Sequence, residues 1–394
     1  MIARRLEIRQ IFATNSQKTI EVELETSKGK VRVSVPMGTS RGKYEVKYLP
    51  VDEAMNKFNL IRRHFTNEDF KNQEDVDELL RIIDKSPDFS EIGGNLALAI
   101  SSAFLKAFAL QEEQKIFEYL LNQTRSRPNM PRPVCNIAGG WKESRSDIQE
   151  ILLLLIHQSS FLDSISRMSQ SYLELGKTLR RVDPTFDYGR NWESAWITGL
   201  KFAELLKILE RMANENDLKI GLDFAASQLW DGSRYYVYKY SNKILSKLEQ
   251  LKMIKVLAKE HPIAYIEDPF MEDDFTSFAL LTESLQPKLV VGDDLYASNP
   301  QRLRDGLEFK ATNAMIVKPS QVGTITDLMK TIEIAKKNRI VTVMSHRSGE
   351  TEDTLIAHLA VGLGCDYVKF GISGERTVKI NELIRIEEKL TGKA

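Results

Sequence analysis

Short apolar runs that end on a charged residue recur through the second half of the chain. The run Val341 to Met344 stops at the polar stretch SHRSGETEDT, and the next aliphatic residue is Leu355. A β-branched run bounded in this way is typical of a buried strand that ends in a site-forming loop. Five further runs have the same form, and they end at Asp223, Glu267, Asp293, Lys318 and Lys369.

The spacing of these ends predicts a repeat of one strand and one helix. From Glu267 to Lys369, with His346 as one of the ends, the successive steps are 26, 25, 28 and 23 residues. The step from Asp223 to Glu267 is 44 residues and contains a hairpin-like insert, DGSRYYVYKY. Such a repeat closes into a parallel barrel whose strand ends meet on one face, where enzymes of this architecture build their sites. We therefore predict an α/β protein with a C-terminal TIM-like (β/α)8 barrel.

The first part of the chain predicts a separate α+β cap domain. Residues 19–24 and 31–35 alternate apolar and polar positions around a turn, which indicates a hairpin. The glycine-containing segment 37–45 is either a plain connector or a lid that closes over substrate. From residue 51 to 123 the apolar spacing is helical, most clearly at 96–110. We predict the cap over residues 1–125 and the barrel over 126–394.

The barrel is expected to begin at Pro133, and a second apolar strand starts at Ile151. Gln149 and Glu150 immediately precede that strand. Either they have a structural role, or their side chains belong to the functional site. Helices are expected over residues 159–182 and 193–215, separated by a loop of turn-forming residues at 183–191.

The composition narrows the function class. Lys plus Arg and Asp plus Glu are balanced at 55 each, so no net charge favours nucleic acid or an anionic membrane. Cys135 and Cys365 are too few for a disulfide framework and form no CxxC pair. The longest apolar run is too short to span a bilayer, and no leader pattern is seen at the N-terminus. We expect a soluble cytoplasmic protein that acts on a small molecule.

The predicted strand ends carry the chemistry of a metal-assisted proton abstraction. Asp223, Glu267 and Asp293 offer the oxygen ligands that Mg²⁺ prefers, although a single carboxylate of this kind is more often a cap or a surface charge. Lys318 and Lys369 would complete the same ring, either as a base whose pKa is lowered by neighbouring cations or as salt-bridge partners. Three further polar groups suit a phosphate or carboxylate: His346, Arg347 and Ser348.

Sequence blocks along nearly the whole chain resemble the enolase family, the phosphopyruvate hydratases. The blocks are IGLDFAASQLW, YIEDPFMEDDF, VVGDDLYASNP, IVKPSQVGTIT, MSHRSGETEDT and KINELIRIEE, and they occur in the family's order. The resemblance implies an enolase-type barrel with its cap and a Mg²⁺-dependent lyase of glycolysis. The reaction implied is the interconversion of 2-phosphoglycerate and phosphoenolpyruvate.

The resemblance also implies a role for individual residues. Asp223, Glu267 and Asp293 match the Mg²⁺ ligands, and Lys318 matches the base that takes the C2 proton. The residues that match substrate-binding positions are Ser40, Gln149, His346, Arg347, Ser348 and Lys369. Glu150 matches a glutamate that helps the C3 hydroxyl to leave.

Two departures from the family pattern fall on the side of the leaving group. The family's DEGG reads DYGR at 187–190, which would put Tyr188 in place of an assisting glutamate. The histidine after the double glycine is missing, and Lys142 falls in that slot. Glu193 is an alternative to Tyr188, because few landmarks align the loop 183–193. The departures predict a divergent member with weakened release of hydroxide.

Two other functions stay open at this point. One is a dehydratase or epimerase that acts on another phosphorylated hydroxy acid. The other is a non-catalytic paralogue that binds a phosphometabolite. The resemblance further implies a homo-oligomer.

Overall fold

The structure is a computed structural model, and it describes residues 1–38, 41–140, 146–157 and 160–392. The cap begins with an antiparallel sheet of three strands: β1 (Arg5–Phe12), β2 (Lys18–Thr26) and β3 (Gly29–Ser34). Alternation along β2 buries Ile20, Val22 and Leu24 on one face, while Glu23 on the other face pairs with Arg32 at 2.7 Å. The predicted hairpin is confirmed as β2 and β3.

Four helices follow the sheet: α1 (Val51–Ile61), α2 (Gln73–Ile83), α3 (Gly94–Gln111) and α4 (Ile116–Thr124). Nearly every residue of α3 is buried, since this helix lies between the cap sheet and the barrel helices. A helix that is apolar on all sides has to be covered on all sides. The helix predicted at 96–110 is thus the element that joins cap and barrel.

The second part of the chain contains the remaining strands. These are β4 (Arg132–Gly139), β5 (Glu150–Leu154), β6 (Lys219–Asp223), β7 (Tyr235–Tyr238), β8 (Lys243–Ser246), β9 (Ile263–Glu267), β10 (Leu289–Gly292), β11 (Ala314–Val317), β12 (Val341–Ser345) and β13 (Tyr367–Lys369). Among the described residues, eight strands close a barrel in the order β10-β11-β12-β13-β4-β5-β6-β9, and β7 pairs with β8 as a separate hairpin. The predicted barrel, its strand ends and the inserted hairpin are confirmed.

One strand departs from the expected parallel arrangement. β5 runs antiparallel to both β4 and β6, whereas the other neighbouring pairs are parallel. Its first residue, Glu150, therefore lies beside Asp223, the last residue of β6. This reversal brings the polar residues that precede β5 to the same face as the charged ends of the parallel strands.

The barrel helices are α5 (Phe161–Val182), α6 (Phe202–Glu215), α7 (Lys247–Glu260), α8 (Phe275–Leu285), α9 (Pro300–Phe309), α10 (Pro319–Val322), α11 (Ile325–Lys337), α12 (Leu355–Gly362) and α13 (Thr377–Leu390). The helix expected at 193–215 was wrong in its start, because α6 begins at Phe202. Residues before it form a loop in which Asn191 Oδ1 accepts from the Glu193 and Ala195 amides. Ser194, at φ 62°, has a left-handed backbone that cannot continue a helix.

The predicted boundary between residues 125 and 126 falls in the connection from α4 to β4, and it stays a prediction. No helix in the described ranges has both the length and the apolar character needed to cross a bilayer.

Candidate active site

A cavity of about 290 Å³ lies at the carboxyl ends of the barrel strands, with the cap closing one side. Strand ends supply most of its charged wall, as the sequence pattern predicted. The cap contributes Gly38 and Glu45. Because both domains line the cavity, its shape depends on how the cap is seated on the barrel.

Lys369 lies at the centre of the carboxylate side of this cavity. Its Nζ pairs with three carboxylate oxygens: 2.8 Å from Glu150 Oε2, 3.0 Å from Asp223 Oδ2 and 2.8 Å from Glu267 Oε2. Burial opposes the charge of Lys369, but the surrounding carboxylates hold its pKa well above the usual value. A permanently charged lysine in this position is suited to neutralising negative charge and not to accepting a proton.

Lys318 extends from the end of β11 and pairs with Oδ2 of Asp293, the residue that follows β10. Gln321 Nε2 donates to the other oxygen of Asp293 at 3.0 Å. The sequence left two roles open for Lys318, a base whose pKa is lowered near a dication and a salt-bridge partner. Burial and Arg347 lower the pKa of Lys318, but Asp293 outweighs them and the pKa is raised. The pairing with Asp293 favours the ammonium form.

The carboxylates predicted as metal ligands leave one buried oxygen without a partner. Glu267 is fully buried, and its Oε1 has no hydrogen-bond partner. Burial, followed by the charges of Asp223 and Asp293, raises the pKa of Glu267 to about 8. An orphaned buried oxygen among like charges fits a missing cation, and an all-oxygen donor set fits Mg²⁺.

A second acidic group lies next to these residues. Single oxygens of Asp268, Asp293 and Asp294 come within 4.8 Å of one another. However, both oxygens of Asp268 already accept backbone hydrogen bonds, from Asp293 N at 2.9 Å and Asp294 N at 2.7 Å. Asp268 therefore stabilises the turn that orients Asp293, and we regard Asp223, Glu267 and Asp293 as the better candidates for ligands.

The segment 346–348 after β12 forms the cationic side of the cavity. Arg347 is buried, and its Nη1 lies 2.7 Å from Glu45 Oε2 of the cap. Gly38 leaves room for this guanidinium, since a Cβ at that position would collide with it. The backbone N–H of Arg347 donates to Glu350 Oε1 at 2.8 Å. An arginine held at its backbone and at one nitrogen is preorganised to bind an anion.

Glu150 and Glu193 both line the cavity, and Glu150 is also one of the partners of Lys369. Burial, together with the charge of Glu193, raises the pKa of Glu150 well above its usual value. Burial alone would raise the pKa of Glu193 too, but buried Arg376 and Lys369 lower it. Asn136 Nδ2 donates to Glu193 Oε2 at 3.1 Å.

Comparisons with known proteins identify the family. The model of the enolase C-terminal TIM barrel domain matches residues 127–394, and the model of the enolase N-terminal domain matches residues 3–120. The enolases of Pyrobaculum aerophilum and Picrophilus torridus are each 36% identical over 97% of this chain, which covers 96% and 98% of those proteins. The enolase of Methanothermobacter thermautotrophicus is 33% identical, with coverage of 99% and 97%. The chain belongs to the enolase family.

Within this enolase family member, the structure brings together most of the residues predicted for the site. The cavity lining includes Gln149, Glu150, Asp223, Asp293, Lys318, His346, Arg347, Ser348 and Lys369. Glu267 is fully buried and pairs with Lys369, and it does not itself line the cavity. Gln149 accepts a hydrogen bond from Gln228 at 3.0 Å at the mouth. Ser40 and Lys142 lie outside the described residues.

Tyr188 is not part of the enolase-type cavity. Its side chain is 48% exposed, and its ring packs against Phe186 and Trp196, with centroids 5.3 and 5.8 Å away. Glu193, by contrast, is only 19% exposed and lies 3.9 Å from His346 Nε2. The structure therefore does not place Tyr188 at the cavity, whereas the alternative residue, Glu193, lines it. Motif spacing did not distinguish the two, because a loop without regular structure does not keep the family's register.

Sequence reasoning missed three side chains of this enolase site: Glu45, Asn136 and Gln321. The sequence could have indicated Asn136, because it is a polar residue inside the apolar strand β4. In the structure its Oδ1 is buried and has no hydrogen-bond partner. Gln321 lies three residues after Lys318 and reaches both Asp293 and Glu45. Glu45 had no local signal, because its role depends on contact with Arg347, 302 residues away.

Proposed function

We propose that this chain is a Mg²⁺-dependent lyase that interconverts 2-phosphoglycerate and phosphoenolpyruvate. The observation that carries the proposal is one cavity that holds both kinds of group. Lys318 lines it together with Asp223 and Asp293, and the carboxyl groups of Glu150 and Glu193 line it too. Loss of a proton from C2 and loss of hydroxide from C3 need a base and an acid within one site.

The first half of the reaction belongs to Lys318. Its neutral amine takes the C2 proton, and the electron pair left on C2 delocalises into the substrate carboxylate. A divalent cation held by Asp223, Glu267 and Asp293 would supply charge to hold the doubly negative product of that step. Asp293 would share its negative charge between that cation and Lys318, and Arg347 and Lys369 lower the pKa of that lysine, so its neutral form becomes more accessible.

The second half belongs to the carboxyl pair. The carboxyl groups of Glu150 and Glu193 line the cavity, and this pair supplies the proton that turns the hydroxide leaving C3 into water. Asn136 donates to Glu193 and holds it in place. Burial and Arg376 keep the pKa of His346 well below its usual value. The imidazole is therefore neutral and adds no positive charge to the site.

Arg347 is proposed as the phosphate partner, with Ser348 and His346 beside it. Its guanidinium fork suits a phosphate better than an ammonium would. The substrate class that follows is a small phosphorylated hydroxy acid.

A cytoplasmic location and assembly into a homo-oligomer are part of the same proposal. Light scattering of the purified protein tests the assembly.

A direct assay tests the proposal. Purified protein given 2-phosphoglycerate and Mg²⁺ is expected to produce phosphoenolpyruvate, and chelation by EDTA is expected to stop production until Mg²⁺ is restored. Absence of phosphoenolpyruvate under conditions where a known enolase is active would reject the assignment. Glu267→Gln is the matched variant, because it removes one ligand charge with almost no change in shape.

A further inference from the structure

A buried guanidinium that has no part in the proposed chemistry joins the two loops of the site. Arg376 lies at the start of α13 and is 0% exposed. Its Nη1 donates to the carbonyl of Arg347 at 2.8 Å. Its Nη2 donates to the carbonyls of Ser348 at 2.6 Å and Trp192 at 2.7 Å. One planar group thus holds the backbone of two segments 156 residues apart in the chain.

These two segments carry the opposing halves of the site. The carbonyl of Trp192 directly precedes Glu193, the carboxyl partner of Glu150. The carbonyls of Arg347 and Ser348 belong to the cationic segment after β12. A fork of fixed geometry sets the distance between such segments more closely than a flexible ammonium does. A displacement of about 1 Å at a reacting group can lower a rate by about 10²-fold.

A second buried cation, three residues after Arg376, contacts only one of the segments. Lys379 on α13 is fully buried, pairs with Glu350 at 3.1 Å and donates to the carbonyl of Thr351. It therefore stabilises the segment after β12, and its described contacts do not include the Glu193 loop. Lys379 offers a matched control, since both cations are fully buried and lie close together in the chain.

We propose that Arg376 is a positioning residue that sets Glu193 against the phosphate-binding segment, and that it thereby controls hydroxide departure separately from C2 proton abstraction. The inference rests on the proposed function. Lys318, Asp223, Glu267 and Asp293 lie on other strands and make no hydrogen bond with Arg376 among the described contacts. Proton abstraction is therefore less dependent on the guanidinium than hydroxide departure is.

The experiment compares two rates in Arg376→Met, Lys379→Met and the native protein at saturating 2-phosphoglycerate in heavy water. The first rate is exchange of the C2 proton with solvent, and the second is formation of phosphoenolpyruvate. Arg376→Met is expected to lower phosphoenolpyruvate formation by about 10²-fold and exchange by much less. Lys379→Met is expected to leave the ratio of the two rates at its native value. The ratio does not depend on the folded fraction, so a loss of stability alone does not change it.

An unchanged ratio in Arg376→Met, or an equal change in Lys379→Met, would overturn the proposal. If Arg376→Met does not fold, Arg376→Lys is measured instead. Its ammonium cannot hydrogen-bond to both segments at once, so it is expected to shift the ratio in the same direction by a smaller factor. Guanidinium added to Arg376→Ala is expected to restore part of the native ratio, and failure to do so counts against the assigned role.

A second measurement separates this inference from the proposed function. Amide hydrogen exchange, followed by mass spectrometry, needs no substrate. Arg376→Met is expected to speed exchange in residues 190–196 and 346–350 together, whereas Lys379→Met is expected to affect only the second segment. If the native protein makes no phosphoenolpyruvate, the proposed function fails, and the pattern of amide exchange still decides whether Arg376 joins the two segments.

Discussion

Glu193 and Tyr188 are five residues apart on one loop, and their surroundings differ sharply. Glu193 lines the cavity together with Glu150, while Tyr188 lies at the surface against aromatic neighbours. Glu193→Gln is expected to lower phosphoenolpyruvate formation by about 10² to 10⁴-fold, the usual effect of removing a positioned acid. Tyr188→Phe is expected to change it by less than about threefold, because the phenol does not reach the cavity. Steady-state assays of the two variants check this, and the opposite ranking would restore Tyr188 to the leaving-group position.

Replacement of Lys318 and replacement of Arg347 are expected to affect different properties, proton exchange in the first case and ligand binding in the second. Lys318→Ala should abolish C2 proton exchange while leaving binding of phosphoenolpyruvate largely intact, since a base acts on the transition state. Arg347→Lys should weaken that binding, because an ammonium cannot reproduce the fork. Calorimetric titration and proton exchange in heavy water measure the two properties. If Lys318→Ala loses binding and Arg347→Lys loses only exchange, the roles are reversed.

At the scale of elements, the loop that carries Glu193 is closed at its base by one carboxylate. Asp183, at the end of α5, accepts from Thr185 N at 2.9 Å and Thr185 Oγ1 at 2.7 Å through Oδ1. Its Oδ2 accepts from Thr198 Oγ1 at 2.6 Å and Gly199 N at 2.7 Å. These bonds bring the two ends of the loop together. They also explain why residues 193–201 do not extend α6.

Asp183 should make this closure dependent on pH. Burial opposes ionisation, but the hydrogen bonds from Thr198, Thr185 and Gly199 lower the pKa of Asp183 to about 2. The unfolded value is about 3.9, so the ionised carboxylate stabilises the fold above pH of about 4, and this contribution is lost as the pH falls toward about 2.

Asp183→Asn is therefore expected to lower the free energy of unfolding by about 1 to 3 kcal/mol at pH 7. The amide NH2 of the new asparagine would face N–H or O–H groups that now donate to the carboxylate, and these buried donors would lose their acceptor. The difference from the native protein should shrink as the pH is lowered toward about 2. Urea unfolding across this range is the measurement. A constant difference at all pH values would show that the charge of Asp183 plays no part.

For the whole molecule, the cap and the barrel complete one site. Glu45 of the cap pairs with Arg347 of the barrel, and Ser101 Oγ on α3 accepts from the backbone N–H of Ile325 at 2.9 Å. Breaking a buried ion pair leaves an uncompensated charge, which makes separation of the two parts unfavourable. The barrel mouth consequently keeps its crowded carboxylates under the cap.

A cation that relieves this crowding should stabilise the folded protein. Mg²⁺ at 100 times its dissociation constant is expected to add about 2.7 kcal/mol to the free energy of unfolding. The thermal midpoint of the native protein should therefore rise with Mg²⁺ and fall again with EDTA. Glu267→Gln should abolish most of the rise. Glu283→Gln, which changes an exposed carboxylate on α8, should preserve it. A rise that survives in Glu267→Gln would place the cation elsewhere.

The sequence by itself determined the strands and most of the charged groups that follow them. Apolar runs of β-branched residues must be buried, and their polar continuations mark where burial ends, so local pattern is enough to predict these ends. Asp223, Asp293, Lys318 and Lys369 therefore lie at one mouth, as the repeat predicted. The helix at 96–110 was equally predictable, because its apolar residues recur at helical spacing.

Only the tertiary structure decided which groups face each other across that mouth. The direction of β5 depends on how the barrel closes, and it is this reversal that places Glu150 beside Asp223. The choice of Glu193 over Tyr188 depends on a loop that Asp183 closes at its base and that Arg376, 184 residues from Trp192 in the chain, holds at its far end. The raised pKa of Lys318 follows from its pairing with Asp293. Local periodicity carries no information on such contacts, because they arise from backbone direction and from charge at a distance.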